Sequence, residues 1–154
     1  MPFVLEARNV HKVYRRGSIA VNAVRGVSLG VAAGEMVAIE GPSGSGKSTL
    51  LNLLGGLDRV DSGDIIVAGV RLAGLDVDAL TRLRGSTIGL VFQFFNLVAL
   101  LTARENVALP LLLAGTNRGV ADRRAAELLE RVGLGGRGDH RPHEIGRASC
   151  RERV

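Results

Sequence analysis

Residues 41–48 read Gly41-Pro42-Ser43-Gly44-Ser45-Gly46-Lys47-Ser48, filling every fixed position of the spacing G-x-x-x-x-G-K-S/T. A polyphosphate is densely anionic, and a loop that holds one must wrap it with backbone N–H groups. Gly44 and Gly46 can adopt positive φ without a Cβ clash, so successive amides can point inward. A helix beginning near Lys47 would aim its free N–H groups and the positive end of its dipole at the same place. The Lys47 ammonium adds a point charge for β- and γ-phosphates, and the Ser48 hydroxyl can ligate Mg2+. Lys47 is one of only two lysines beside eighteen arginines, at a position where a compact ammonium is wanted. The competing reading is a Gly/Ser-rich turn that happens to contain a lysine.

Two further residues could serve the same ligand. Gln93 lies in Val91-Phe92-Gln93-Phe94-Phe95-Asn96-Leu97, where buried-strand text gives way to helical text. In an open α/β sheet the carboxyl ends of strands are where ligands sit, so Gln93 could reach Mg2+ or a terminal phosphate; taken alone, a glutamine there is a surface residue. Tyr14 is the only tyrosine. It falls in what looks like a turn and could stack on a base or cap the sheet edge. His11, His140 and His143 have no ligand spacing, and no metal site is expected from them. Leu53–Asp58 mimics an apolar strand ending in Asp, but it follows the phosphate loop too closely and reads as that loop's own helix.

The elements that must position these residues follow from the pattern. Phe3–Val10 suits a first strand, Tyr14–Ser18 a turn, and Ala20–Leu29 a second strand. Ala32–Glu35 is a turn before Met36–Ile39, a short apolar run of buried-strand type that leads into the phosphate loop. Leu50–Leu54 continues as an apolar helix that stops at Gly55-Gly56. Asp61–Asp64 reads as a turn, Ile65–Ala68 as a strand, Asp76–Leu83 as a short helix and Thr87–Phe92 as a buried strand. Thr102 and Glu105 have the spacing of a capping box, and the helix they start should kink or end near Pro110. Ala125, Leu128, Leu129 and Val132 form one apolar stripe, and Gly133 is placed to end that helix.

Composition narrows the classes. The chain has 154 residues, 46% hydrophobic and 23% charged, which suits a folded domain and excludes wholesale disorder. One cysteine cannot form an internal disulfide, which suits a reducing compartment. The longest apolar runs, Leu97–Leu101 and Val107–Ala114, fall far short of a bilayer span, and the N-terminus has no signal-peptide pattern. The net charge of +5 is scattered along the chain rather than clustered, so no nucleic-acid partner is expected.

From Ile145 the text changes to IGRASCRERV, which has no apolar periodicity and carries the only cysteine. One frame of a common sequencing-adapter oligonucleotide encodes the same ten residues. Residues 145–154 are therefore read as a non-native tail and left out of the fold expectation. Without them the net charge falls from +5 to +3.

Together, Tyr14 with the downstream VRGVSL, AAGEMVAIEGPSGSGKSTLLNLLGGLD, SGDI, IGLVFQFFNL and LTARENVALPLLLAG resemble the ATP-binding subunit of an ABC transporter. The last two segments are most similar to the lipoprotein-releasing and macrolide-export branch. The resemblance runs from about Phe3 to Glu144. It implies an α/β fold: a P-loop NTPase (RecA-like) ABC ATPase core with an N-terminal β subdomain and a helical subdomain, its C-terminal half missing. Residues 1–144 would then be a partial nucleotide-binding domain whose helical subdomain begins about residue 94. By the same resemblance Gly41–Thr49 is the Walker A loop, with Gly41, Pro42, Ser43, Gly44, Ser45, Gly46, Lys47, Ser48 and Thr49 binding nucleotide. Tyr14 becomes the adenine-stacking position, and Gln93 the Q-loop glutamine, a catalytic residue sharing Mg2+ with Ser48.

The implied cofactors are ATP and Mg2+. The implied partners are a transmembrane permease subunit and a second ATP-binding subunit, at the cytoplasmic inner face of the cell membrane. The LSGGQ signature, Walker B aspartate, following glutamate and switch histidine do not occur in this text. The intact parent therefore reads as an ATPase coupled to export, and this chain as one that binds nucleotide without hydrolysing it. Loss of the central strands would leave unpaired edges. The alternatives are a soluble ABC-type ATPase of repair or translation and another P-loop kinase or NTPase; Thr116-Asn117-Arg118-Gly119 is not the N-K-x-D reader of a GTPase.

Overall fold

The computed structural model describes residues 3–145; most of the segment read as a tail lies outside them. The chain divides into two compact units, Met1–Leu90 and Val91–Val154.

The first unit is a four-stranded antiparallel sheet packed on one helix. Strands β1 (Leu5–Arg16) and β2 (Ile19–Val31) form a long hairpin, and β3 (Ser62–Val67) and β4 (Val70–Arg71) a short one. The sheet order is β2-β1-β3-β4. Helix α1 (Lys47–Leu54) follows the phosphate loop and α2 (Val77–Thr87) follows β4. The core forms where Val10, Val24, Ile65 and Val67 of the sheet meet Leu50, Leu53 and Leu54 of α1. Positions 50, 53 and 54 are one helical face. Val10, Leu53 and Ile65 are fully buried, and burying each contributes about 1.5–3 kcal/mol.

Several expectations need correction. Tyr14–Arg16 is not turn but the end of β1, because Tyr14 pairs with Val21 and Arg16 with Ile19. The turn narrows to Gly17 and Ser18. Ser62–Asp64 likewise belongs to β3. Gly63 has φ +86, and a Cβ there would collide with the Asn9 carbonyl on β1. Its glycine permits close strand approach at the irregularity between Arg8 and His11. Met36–Ile39 and Ile88–Phe92 have strand composition but no strand pairing among the described residues, and Thr87 closes α2 instead. Met36 is 96% exposed and Val91 102%. A buried strand is stabilised by neighbours on both sides, and here those segments have none to pair with.

The second unit is a helical hairpin. Helix α3 (Ala103–Leu113) carries the complete capping box: the Thr102 side chain accepts from the Glu105 amide, and Glu105 accepts from the Thr102 amide. Pro110 sits inside α3, which continues to Leu113 rather than ending there. Helix α4 (Arg118–Arg131) starts on an Asn117 cap. It ends with Gly133 at φ +74, where Gly133 N–H reaches the Glu130 carbonyl and Leu134 N–H the Leu129 carbonyl. The two helices meet through Ala108, Ala121 and Ala125, whose small side chains let the backbones approach. The buried stripe of α4 is thus Ala121, Ala125 and Leu129, while Val132 is exposed.

Candidate functional site

The phosphate loop is shaped by Gly46. This residue is the N-cap of α1 at φ +90 and offers no side chain to satisfy the helix's first amides. A Cβ on it would run into the Ala23 carbonyl of β2, so the position admits glycine and little else. The first turn of a helix has N–H groups without internal acceptors. In α1 the ladder starts with Leu50 N–H donating to the Gly46 carbonyl at 2.8 Å, which leaves the amides of Lys47, Ser48 and Thr49 ahead of it. Ser45 N–H donates to the Pro42 carbonyl at 3.2 Å and folds the loop back on itself.

Lys47 lies across this loop. Its Nζ donates to the carbonyls of Gly41 and Pro42, each at 2.8 Å, and approaches Ser45 Oγ at 3.4 Å. These acceptors are neutral, whereas phosphate oxygens are charged and add Coulombic attraction for an ammonium. The ammonium is therefore held in place by bonds that an anionic ligand can displace. Beside the loop is a cavity of about 730 Å3, lined by Asn22, Arg25, Gly41, Gly44, Gly46 and Lys47 among others, a size that suits a nucleotide-class ligand. The Ser48 hydroxyl is exposed in the first turn of α1. Among the described residues no group of three or more His, Cys, Asp or Glu could hold a metal. A hydroxyl oxygen suits Mg2+ as one hard ligand among phosphates and waters.

Tyr14 is placed elsewhere in the same unit. Its hydroxyl donates to Asp58 Oδ2 at 2.7 Å, while Lys12 Nζ donates to Asp58 Oδ1 at 2.9 Å and to the Arg59 carbonyl at 2.6 Å. The Lys12 ammonium lies over the Tyr14 ring, 5.2 Å from its centroid. The hydrogen bond to Asp58 holds the Tyr14 phenol above its ordinary pKa, helped by burial and the Asp58 charge, with Thr49 of α1 and Lys12 acting in the opposite sense. Burial alone would raise Asp58, but its bonds from Tyr14, Lys12 and the Arg59 amide bring it below the usual carboxylate range. Burial would likewise lower Lys12, yet Asp58 and Asp61 hold it above its usual value.

The structure thus brings Gly41, Pro42, Ser43, Gly44, Ser45, Gly46, Lys47, Ser48 and Thr49 into one loop and helix start, while Tyr14 lies on β1 with its hydroxyl bonded to Asp58. Gln93 belongs to the second unit, exposed at a bend rather than at a strand end. Lys12 and Asp58 were missed. Lys12 is the other lysine of the chain, two residues before Tyr14 on the same strand face, and that was the available signal.

Comparison with known proteins gives the class. Residues 24–150 match the family described as ABC transporter, and the chain belongs to that family. It is 48% identical to an uncharacterized ABC transporter ATP-binding protein of Thermotoga maritima, over 94% of this chain and 62% of the relative. It is 46% identical to the lipoprotein-releasing system ATP-binding protein LolD of Chromohalobacter salexigens, over 92% of this chain and 60% of LolD. The pyoverdine export ATP-binding/permease protein PvdT of Pseudomonas fluorescens is 48% identical over 92% of this chain and 22% of its own length. A solved structure of the ATP-binding cassette MJ0796, a dimer in a post-hydrolysis state bound to ADP and Pi, superposes with a TM-score of 0.83 at 40% identity. It is matched over 90% of this chain and 62% of its own. The α/β cassette fold is therefore that of an ABC ATPase. The chain spans about three fifths of the length of the ATP-binding relatives it matches. Among the described residues no helix is long and apolar enough to cross a membrane.

Proposed function

We propose that this chain is the nucleotide-binding part of an ABC transporter ATPase and takes up ATP with Mg2+. The observation that carries the reading is the uncapped start of α1 at Gly46 with Lys47 laid across the loop. Gly41–Thr49 wraps the polyphosphate with main-chain amides, Lys47 exchanges its two carbonyls for phosphate oxygens, and Ser48 supplies one oxygen to the cation. Tyr14 stacks on adenine, and Gln93 is the Q-loop glutamine by the family resemblance, a candidate cation ligand. Residues 1–144 act as a partial nucleotide-binding domain with the helical subdomain from about residue 94, and residues 145–154 as a non-native tail.

In the whole protein the helical stretch after Gln93 faces a transmembrane permease, and a second ATP-binding subunit completes the hydrolytic site at the cytoplasmic face of the membrane. Sequence beyond this chain supplies the neighbours for residues 36–39 and 88–92. The cargo class is peptide, lipid-linked protein or drug export; of the relatives, LolD is named for lipoprotein release and PvdT for pyoverdine export. The chain by itself binds nucleotide and does not turn it over, since phosphoryl transfer needs positioning groups that its sequence lacks.

Equilibrium binding of labelled ATP in the presence of Mg2+ tests this. Lys47→Ala should weaken binding about 10- to 100-fold, the equivalent of one to two charge-assisted hydrogen bonds. Phosphate release by the wild-type chain should stay at background. Equal binding by wild type and variant refutes the phosphate site, and phosphate release that Lys47→Ala abolishes refutes the division of labour.

A further inference from the structure

Lys12 is the one charged residue among the described residues whose side chain is drawn into the core region, only 8% exposed. Burying an ammonium is costly unless it is paired and hydrogen-bonded, so its surroundings indicate what it holds. It has two bonds, to Asp58 Oδ1 and the Arg59 carbonyl, with Asp61 Oδ1 at 3.8 Å, and the Tyr14 ring as its remaining contact. Asp58 in turn uses its second oxygen to accept from the Tyr14 hydroxyl, and Oδ1 also accepts from the Arg59 amide at 2.7 Å. One carboxylate, itself fixed by a main-chain amide, therefore clamps both ends of a Lys–Tyr pair that share one face of β1.

The consequence is a ring with little freedom. A tyrosine anchored only at its Cβ can swing about two torsions, but this one is pinned at its hydroxyl and covered by a cation on one face. Tyr14 still leaves 42% of its surface exposed. A cation over one face draws π density toward itself and makes the ring a better stacking partner for an electron-rich purine.

We propose that Asp58, with Lys12, is a positioning residue for Tyr14: the pair holds the ring ready as a platform for the base of a bound purine nucleotide. The pair touches neither phosphate nor base. This inference rests on the reading of Tyr14 as the adenine contact. It requires that the hydroxyl anchor, and not the ring alone, contributes to affinity for the base, while affinity for the polyphosphate is set elsewhere.

The test compares binding of ATP and of inorganic tripolyphosphate, each with Mg2+, by the full chain and by Tyr14→Phe, Asp58→Asn, the double variant and Tyr14→Ala. Tyr14→Phe keeps the ring and removes only the anchor at an exposed position. Tyr14→Phe and Asp58→Asn should each weaken ATP binding about three- to tenfold, the factor one hydrogen bond carries. The double variant should be no weaker than either single one, and tripolyphosphate binding should be unchanged throughout. Wild-type ATP affinity in Tyr14→Phe overturns the inference, as does a loss that falls equally on tripolyphosphate. If Tyr14→Ala weakens ATP binding while Tyr14→Phe and Asp58→Asn do not, the inference alone fails. If Tyr14→Ala also binds ATP normally, the adenine role of Tyr14 fails with it.

Discussion

Helices α1 and α3 begin in opposite ways. At the start of α3 the Thr102 side chain and the Glu105 carboxylate take up two of the amides that a helix leaves free, and Asn117 does comparable work for α4. At the start of α1 the cap is Gly46 in a left-handed conformation with no side chain to offer, and the nearest cation folds back on the loop's own carbonyls. The first arrangement is complete within the chain. The second leaves directed N–H groups without side-chain acceptors beside an ammonium held by neutral carbonyls. Where local rules are satisfied the residues serve structure, and the unsatisfied helix start beside a lysine is the feature on which the proposed ligand role rests.

The largest effect should come from closing that difference at Gly46. Gly46→Ala places a Cβ against the Ala23 carbonyl at φ +90, strain of about 1–3 kcal/mol, and should reduce ATP binding at least about tenfold by calorimetry. Normal affinity in that variant breaks the comparison. Thr102→Ala should do the converse: urea titration should show a loss of about 0.5–2 kcal/mol, with ATP affinity unchanged. Gly85→Ala, inside α2 with open space around it and no positive φ, should raise stability by about 0.5–1 kcal/mol in the same titration. That sign sharpens the point that a glycine matters by its backbone conformation and neighbours and not by its type.

The smallest effect concerns pH. Asp58 is held below the ordinary carboxylate range, so its contribution is present above the unfolded pKa and is lost as pH falls through the lower, folded value. Tyr14 is raised, so its share persists below the unfolded phenol pKa and disappears as pH rises through the folded one. Thermal melting of wild type and Asp58→Asn should differ at neutral pH and converge as acid protonates Asp58. Curves that stay apart in acid contradict the assignment.

Much of this was legible in order along the chain because its physics is local. The Thr102/Glu105 box, the Gly133 stop and the helix start expected at Lys47 each depend on a few neighbouring residues, and each is seen in the structure. Tyr14 was misread as turn because β1 is extended by pairing with Val21 and Ala20, a cross-strand fact that composition does not carry. Met36–Ile39 and Ile88–Phe92 show the reverse: strand composition marks a willingness to be buried between neighbours, and pairing happens only where neighbours are supplied. The Lys12–Asp58 pair spans 46 positions, so only the fold brings it to Tyr14.

The most direct test of the phosphate site reads the amides themselves. In 15N-labelled chain titrated with ATP and Mg2+, the amide resonances of Gly44, Gly46, Lys47, Ser48 and Thr49 should shift together and saturate. Those of Glu105 and Gly119, already bonded to Thr102 and Asn117, should stay in place, and Lys47→Ala should abolish or greatly weaken the response. Loop amides that do not move, or that move identically without the Lys47 ammonium, would contradict the account.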